Sequence, residues 1–328
     1  MKHFKFLFLL FFVIVFSCKD QNKKSYLPNS IGAINSLVVV IDNELWKSKV
    51  GDKIREQFAA SVLGLTMEEP LFSITQIPGS VFTGTVRNTR SVLYVQKDTV
   101  NLAHIKTDMY ATPQKVAIVK GSTDDELIKN LNDKSDEIIA SFKNLEIIEA
   151  QKRFLRSLNK EKGINDKFGV TLNIPSIYNV VKQEDNFIWV ERQIQKGTMN
   201  ILVYQMPWDS FTVDSTFVKD IVSMRDSIGK MYVPGPDVPG KTTHMRTEPA
   251  FAPSVFPARI AGKKAAEIRG LWDIKNYPMA GPFLTYIVND EENKRKIVVE
   301  GFTFAPSTEK RDYMFELEAI LKTLRVNK

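Results

Sequence analysis

Apolar residues along this chain switch between two spacings, and the switches mark its elements. The run "SLVVVIDN" (36–43) is short, β-branched and nearly all apolar, which predicts a buried strand. Over 44–63 the spacing widens to a helical one, with Leu45/Trp46, Val50, Ile54, Phe58 and Val62 on one face. "LFSITQIP" (71–78), "RSVLYVQKD" (90–98) and "QKVAIVKGS" (114–122) read as three more strands, the first closed by Pro78-Gly79. Ser122 or Thr123 then caps a helix whose first turn carries Asp124, Asp125 and Glu126, where the helix dipole favours negative charge. Leu127, Leu131, Ile138, Ile139 and Phe142 form its stripe, and the pattern runs on toward Leu158. The order β-α-β-β-β-α predicts helices on one face of a largely antiparallel sheet.

The polar stretch "NKEKGINDKFG" (159–169) carries two glycines and is expected to link two domains, 31–160 and 168–328. Beyond it "GVTLNIP" (169–175) alternates as a strand. "NFIWVERQI" (186–194) and "MNILVYQMP" (199–207) predict a hairpin around Lys196-Gly197. A helix is expected over 214–233, with Phe217/Val218, Ile221, Met224/Arg225 and Ile228 on one side. An irregular stretch over 234–262 precedes strands at 265–274, 281–290 and 296–306. Met314, Leu317, Ile320, Leu321 and Leu324 stripe a final helix. The fold class is therefore α+β: two α/β sandwich-like domains with largely antiparallel sheets.

The first eighteen residues change the picture from fold to location. Lys2 and Lys5 precede an unbroken apolar run, Phe6–Phe16, shorter than the roughly 20 residues a membrane-spanning helix needs and matched to a signal-peptide core. It ends on "VFSC", which resembles a bacterial lipobox, so 1–17 is expected to be a signal peptide and Cys18 the lipidated first residue of the mature protein. Cys18 is the only cysteine, so no internal disulfide forms. Residues 18–30 have no helical or strand period and read as a tether. The formal charge of +7 falls to +5 when Lys2 and Lys5 leave, spread along the chain; its densest run, "NKRK" (293–296), has no interleaved aromatics, which argues against nucleic-acid binding.

The lipobox, "MNILVYQMP", "MAGPFLTYIV" and "VVEGFTFAPSTEKRDYMFELEAILKTLRV", set in this two-part layout, resemble an uncharacterised family of Bacteroidota lipoproteins known only as a domain of unknown function. That resemblance implies no activity and carries over no catalytic residue. In element order, residues 168–326 are also similar to PsbP-like α-β-α sandwich domains, which implies a non-enzymatic accessory role for the second domain.

Candidate chemistry is sparse. "GPDVPGKT" (235–242) matches the phosphate-binding pattern G-x-x-x-x-G-K-T letter for letter. Pro236 and Pro239 lack the N–H groups such a loop needs, and three more prolines replace the helix that should follow, so no nucleotide is expected. His104 and His244 lie in different predicted domains without paired-ligand spacing, so no metal or other cofactor is expected. The loop "KTTHMRTE" (241–248) gathers Thr243, His244, Arg246 and Glu248 as candidate ligand contacts, with Trp272 and Tyr277 as possible walls. The expected function is a lipid-anchored cell-envelope protein at the outer membrane, a non-enzymatic module that binds or assembles an envelope protein or glycan. The alternative is an envelope hydrolase with His244 and Glu248, or another acid, as general base.

Overall fold

The computed structural model describes residues 26–211 and 214–327; the expected signal peptide and Cys18 lie outside them. The first module runs β1 (Ser36–Val40), α1 (Asn43–Trp46), α2 (Lys49–Phe58), β2 (Ser73–Ile77), β3 (Ser91–Lys97), β4 (Leu102–Thr107), β5 (Lys115–Gly121) and α3 (Asp124–Phe154). Ser48 divides the helix expected over 44–63: its hydroxyl donates to Leu45 O and accepts from Val50 N, ending α1 and capping α2. Thr123 caps α3, accepting from Glu126 N while the Glu126 carboxylate accepts from Ser122 N, a reciprocal pair.

The sheet order is β2-β1-β3-β5-β4. Antiparallel pairing predominates over the whole chain, as the α+β class requires. The first sheet, taken alone, departs from the largely antiparallel expectation. Its pairs β1–β2, β1–β3 and β3–β5 are parallel, and only β4, a strand not expected from the sequence, runs antiparallel to β5. The reason is burial on both faces, which makes parallel strands continuous apolar runs. Leu37 and Val39 of β1 face the helices, while Val38 and Val40 pack with Phe82 on the other side.

The second module runs α4 (Gly163–Phe168), β6 (Val170–Thr171), β7 (Asn179–Glu184), β8 (Phe187–Ile194), β9 (Gly197–Pro207), α5 (Phe217–Tyr232), β10 (Met245–Thr247), β11 (Ser254–Ile260), β12 (Lys263–Ile274), β13 (Tyr277–Asp290), β14 (Arg295–Phe304), α6 (Arg311–Leu321) and β15 (Arg325–Val326). Strands β10-β12-β13-β14-β9-β8-β7 form one antiparallel sheet, and β11 shares the outer edge of β12 with β10. The strand expected over 169–175 shrinks to β6, which pairs with β15. The stretch 234–262 holds two edge strands rather than none, because Pro249, Pro253 and Pro257 hide their pattern and proline is tolerated at an edge. Alternation along the sheet gives two faces. Leu284, Tyr286, Val288, Ile297 and Val299 point toward α6, whereas Phe283, Ile287, Val298 and Phe302 point toward α5.

One helix serves both modules. In α3, Leu127, Leu131, Ile138 and Phe142 pack in the first core, and Ile147, Ala150 and Phe154 in the second. Residues 159–169, expected as the linker, include α4, whose Phe168 is buried in that second core. Across the junction the Glu69 carboxylate accepts from Lys310 N and Arg311 N, capping α6 from the other module. Gln151 of α3 donates to Ala319 O at 3.0 Å and Asn35 to Asp312 at 3.0 Å.

Candidate functional site

The phosphate-loop match folds as a turn. Lys241 N donates to Val238 O at 3.0 Å, Gly240 takes φ +73°, and the chain then enters β10 instead of a helix. Pro236 and Pro239 supply no N–H to this turn, and Thr243 donates its hydroxyl to Pro236 O at 2.7 Å.

The residues expected around this loop are placed on a hydrogen-bonded edge. Arg246 makes a two-pronged pair with Asp273 across β10 and β12, at 2.8 and 3.0 Å, which holds its guanidinium well charged. Glu248 accepts from Ala250 N at 3.0 Å, closing a local turn. His244 is buried, and its Nδ1 has no hydrogen-bond partner among the described residues. Burial, aided by Lys275, Lys230 and Arg246, lowers the pKa of His244 and favours the neutral imidazole. Among the described residues His244 forms no hydrogen bond to a carboxylate of the kind a hydrolase would use. Trp272 is 1% exposed and lies edge-on to Phe302, with 5.4 Å between centroids. It lines a hollow of about 350 Å³ with Trp189, Met245 and Pro236. Thr243, His244, Arg246 and Glu248 do not line that hollow, so the predicted set is split rather than assembled. Among the described residues no three His, Cys, Asp or Glu side chains gather as a metal would need.

Beneath this edge lies a buried ionic cluster that the loop reading missed. Arg225 of α5 pairs with Glu300 of β14 at 2.6 and 2.8 Å, donates to Thr247 Oγ1 at 2.7 Å, and stacks 3.4 Å above the Phe283 ring. Thr285 donates to the same carboxylate at 2.6 Å, and Asp226 accepts from Thr247 N at 2.7 Å. Every polar partner of Glu300 comes from a different element, so the cluster fixes α5 to β10, β13 and β14 at once. Its signal in the sequence is a charge at an inward phase: Arg225 in the apolar stripe of a helix, and Glu300 two residues from both Val298 and Phe302.

A cleft of about 520 Å³ opens where the modules meet. Leu63 and Leu71 come from the first module, Lys143 from α3, Arg269 from β12, and Phe315 and Glu318 from α6. Arg269 bonds Glu267 at 2.6 Å and Glu318 at 2.8 Å, and Lys322 reaches the second oxygen of Glu318 at 2.5 Å. Burial alone would raise the Glu318 pKa; Arg269 and Lys322 outweigh it and hold it at about 2. Lys143 differs. It donates to Asn35 Oδ1 and Leu71 O, both at 2.8 Å, and sits 4.6 Å from the Phe72 ring centroid. Burial lowers its pKa to about 8. The cleft thus offers apolar walls, self-neutralised charge and one amine whose charge is weakly held.

No curated protein matches the chain. Among solved structures, LpqN, described as involved in cell envelope biogenesis of Mycobacterium tuberculosis, is similar at 11% identity and a TM-score of 0.29, over 48% of this chain and 83% of that one. A family model described as a domain of unknown function, DUF8532, matches residues 30–155. Another, also a domain of unknown function, matches 157–323, more than half of the 328 residues, and the chain belongs to that family, DUF4837.

Proposed function

We propose that this protein is a lipid-anchored component of the cell envelope, held at the outer membrane through Cys18, and that its body binds an envelope protein or glycan without transforming it. The observation that carries the binding role is the cleft between the modules, walled by both and tied across by Glu69, Asn35 and Gln151. Sites at domain junctions are a common place for ligands. The anchor rests on the lone cysteine directly after an eleven-residue apolar run, Phe6–Phe16, and Ser17. The reading of the chain as a Bacteroidota lipoprotein with a PsbP-like second module rests on the sequence resemblance alone. The binding role is favoured over hydrolysis because His244 has no carboxylate partner among the described residues and Glu248 is spent on a turn.

The test has two arms. Cys18→Ala moves the protein from the membrane to the soluble fraction; unchanged partition removes the anchor. Ala140→Trp, on the exposed side of α3 facing the cleft, abolishes co-purification of whatever the tagged wild type retains from envelope extracts. An identical set of retained components removes the cleft as the binding site.

A further inference from the structure

A second cavity, of about 560 Å³, lies at the far end of the α5 face from Trp272. Its floor is one cross-strand row: Pro257 opposite Ala266, and Ala266 opposite Ile287. Phe211 and Phe217 wall it, meeting edge to face at 6.2 Å between centroids.

The adjacent row at the sheet's end is basic. Arg259 stands directly opposite Lys264 across β11 and β12, and Lys296 opposite Asn289 across β13 and β14. All four line the cavity. Like charges directly opposite each other on a sheet destabilise it unless something neutralises them. Among the described residues none of the three cations forms an ion pair with a carboxylate. Lys296 is 8% exposed, yet its ammonium has only Asn289 Oδ1 at 3.1 Å and the Trp208 ring, 4.9 Å from its centroid. A buried cation without a counter-ion is costly. The other face of the same sheet end shows the usual remedy. There Lys263 and Arg295 converge on Asp290 at 3.2 and 2.9 Å. Among the described residues, the ion-paired acid lies on one face only.

From the apolar row beside the unneutralised basic row we infer that this cavity binds a single-chain amphiphilic anion. The alkyl chain lies along Pro257, Ala266 and Ile287 beneath the two phenylalanines, and the anionic head sits among Arg259, Lys264 and Lys296. The volume falls within the roughly 300–1,000 Å³ of small-molecule sites.

Isothermal titration tests this on the chain from Lys19 onward, which keeps every core residue described above. Dodecanoate, held below its micelle concentration, binds in the micromolar range. Dodecanol and dodecyltrimethylammonium, with the same chain but no negative head, bind at least about tenfold more weakly. Lys264→Glu, at an exposed position, and Lys296→Met each weaken dodecanoate about tenfold or more and leave dodecanol unchanged. Ala266→Phe fills the floor and abolishes both. Thermal melting of each variant confirms that it folds, and Lys264→Glu alone suffices if Lys296→Met does not. No binding of dodecanoate at 1 mM, equal binding of the three amphiphiles, or unchanged affinity in the folded variants overturns the inference. Because no membrane or envelope extract enters this experiment, its failure leaves the anchor and the inter-module cleft standing.

Discussion

The two faces of the eight-stranded sheet are built on opposite plans. The α6 face is covered twice, by α6 and by the second half of α3, and its charges are paired among themselves: Arg269 with Glu267 and Glu318, Arg192 with Glu316, Lys263 and Arg295 with Asp290. The α5 face has α5 as its covering helix, a hollow at each end, and a row of cations that forms no ion pair among the described residues. What replaces the second helix there is the Arg225–Glu300 cluster. Double coverage spends surface on stability, and single coverage leaves surface free. The two kinds of recognition proposed above divide along the same line. The cleft beside α6, proposed for a protein or glycan, presents shape and charge that is paired except at Lys143. The groove beside α5 presents uncompensated positive charge, suited to an anion.

The sharpest test is to unpin α5. Arg225 and Glu300 are 2% and 1% exposed, so Arg225→Met leaves a buried carboxylate unpaired. The expected loss is about 3–5 kcal/mol in urea unfolding, because a lone buried charge costs more than the pair returns. Replacing both residues, Arg225→Met with Glu300→Leu, restores much of it. Arg269→Met on the α6 face leaves Glu318 with Lys322 and partial access to water, so its cost is smaller. Equal losses from Arg225→Met and Arg269→Met would erase the distinction between the faces.

The next effect is set by pH. Of the cations lining the α6-side cleft, Arg269, Arg311 and Lys322 have carboxylate partners and Lys143 has none among the described residues. The native pKa of Lys143 is lowered to about 8 from the ordinary 10.5. Between those values the unfolded chain binds more protons at this site than the folded one, so stability rises with pH across that window. The gain is at most about 3 kcal/mol. Measured as the difference between wild type and Lys143→Met, it separates from the tyrosines Tyr178, Tyr204 and Tyr286, whose raised values cost stability only from about pH 10 upward and do so in both proteins. Parallel stability profiles from pH 7.5 to 10 would show that Lys143 is solvated and the cleft looser than its walls suggest.

How much of this was legible follows the kind of signal. Elements with a clean period were readable: the hairpin of β8 and β9, the long capped α3, and the terminal helix stripe. Strands whose pattern is damped at sheet edges were not. β4 and β7 carry few buried residues, and Pro257 interrupts β11. The parallel first sheet was written in "SLVVV", whose unbroken apolar run is what burial on both faces looks like. Of the site, the sequence showed which loop is rich in polar residues but not where they point. Arg246 and Glu248 turned out to hold the loop itself, whereas the charges with consequences lie on β14: Glu300, in a stretch read only for its apolar residues, and Lys296, read only as the end of the basic run "NKRK". Both lie in phase with Val298, so the alternation that located the strand also marked them as inward.

The smallest expected effect belongs to the residue whose motif is most familiar. Lys241 is exposed, its backbone closes the turn to Val238, and its ammonium makes no ion pair among the described residues. In a nucleotide site that amine would face phosphate oxygens, with a helix N-terminus behind it. Here the residues after it run into β10, and the two prolines before it remove donors from the turn. Lys241→Ala is therefore expected to shift stability by less than about 0.5 kcal/mol, as surface substitutions away from special features do. It is also expected to leave dodecanoate binding unchanged, since the turn adjoins the Trp272 hollow and not the basic groove. Titration of the purified protein with ATP and magnesium gives no saturable signal in either form. A saturable signal in the wild type that disappears in Lys241→Ala would mean that this turn reorganises around phosphate, and the assignment of anion binding to the α5-side groove alone would fail.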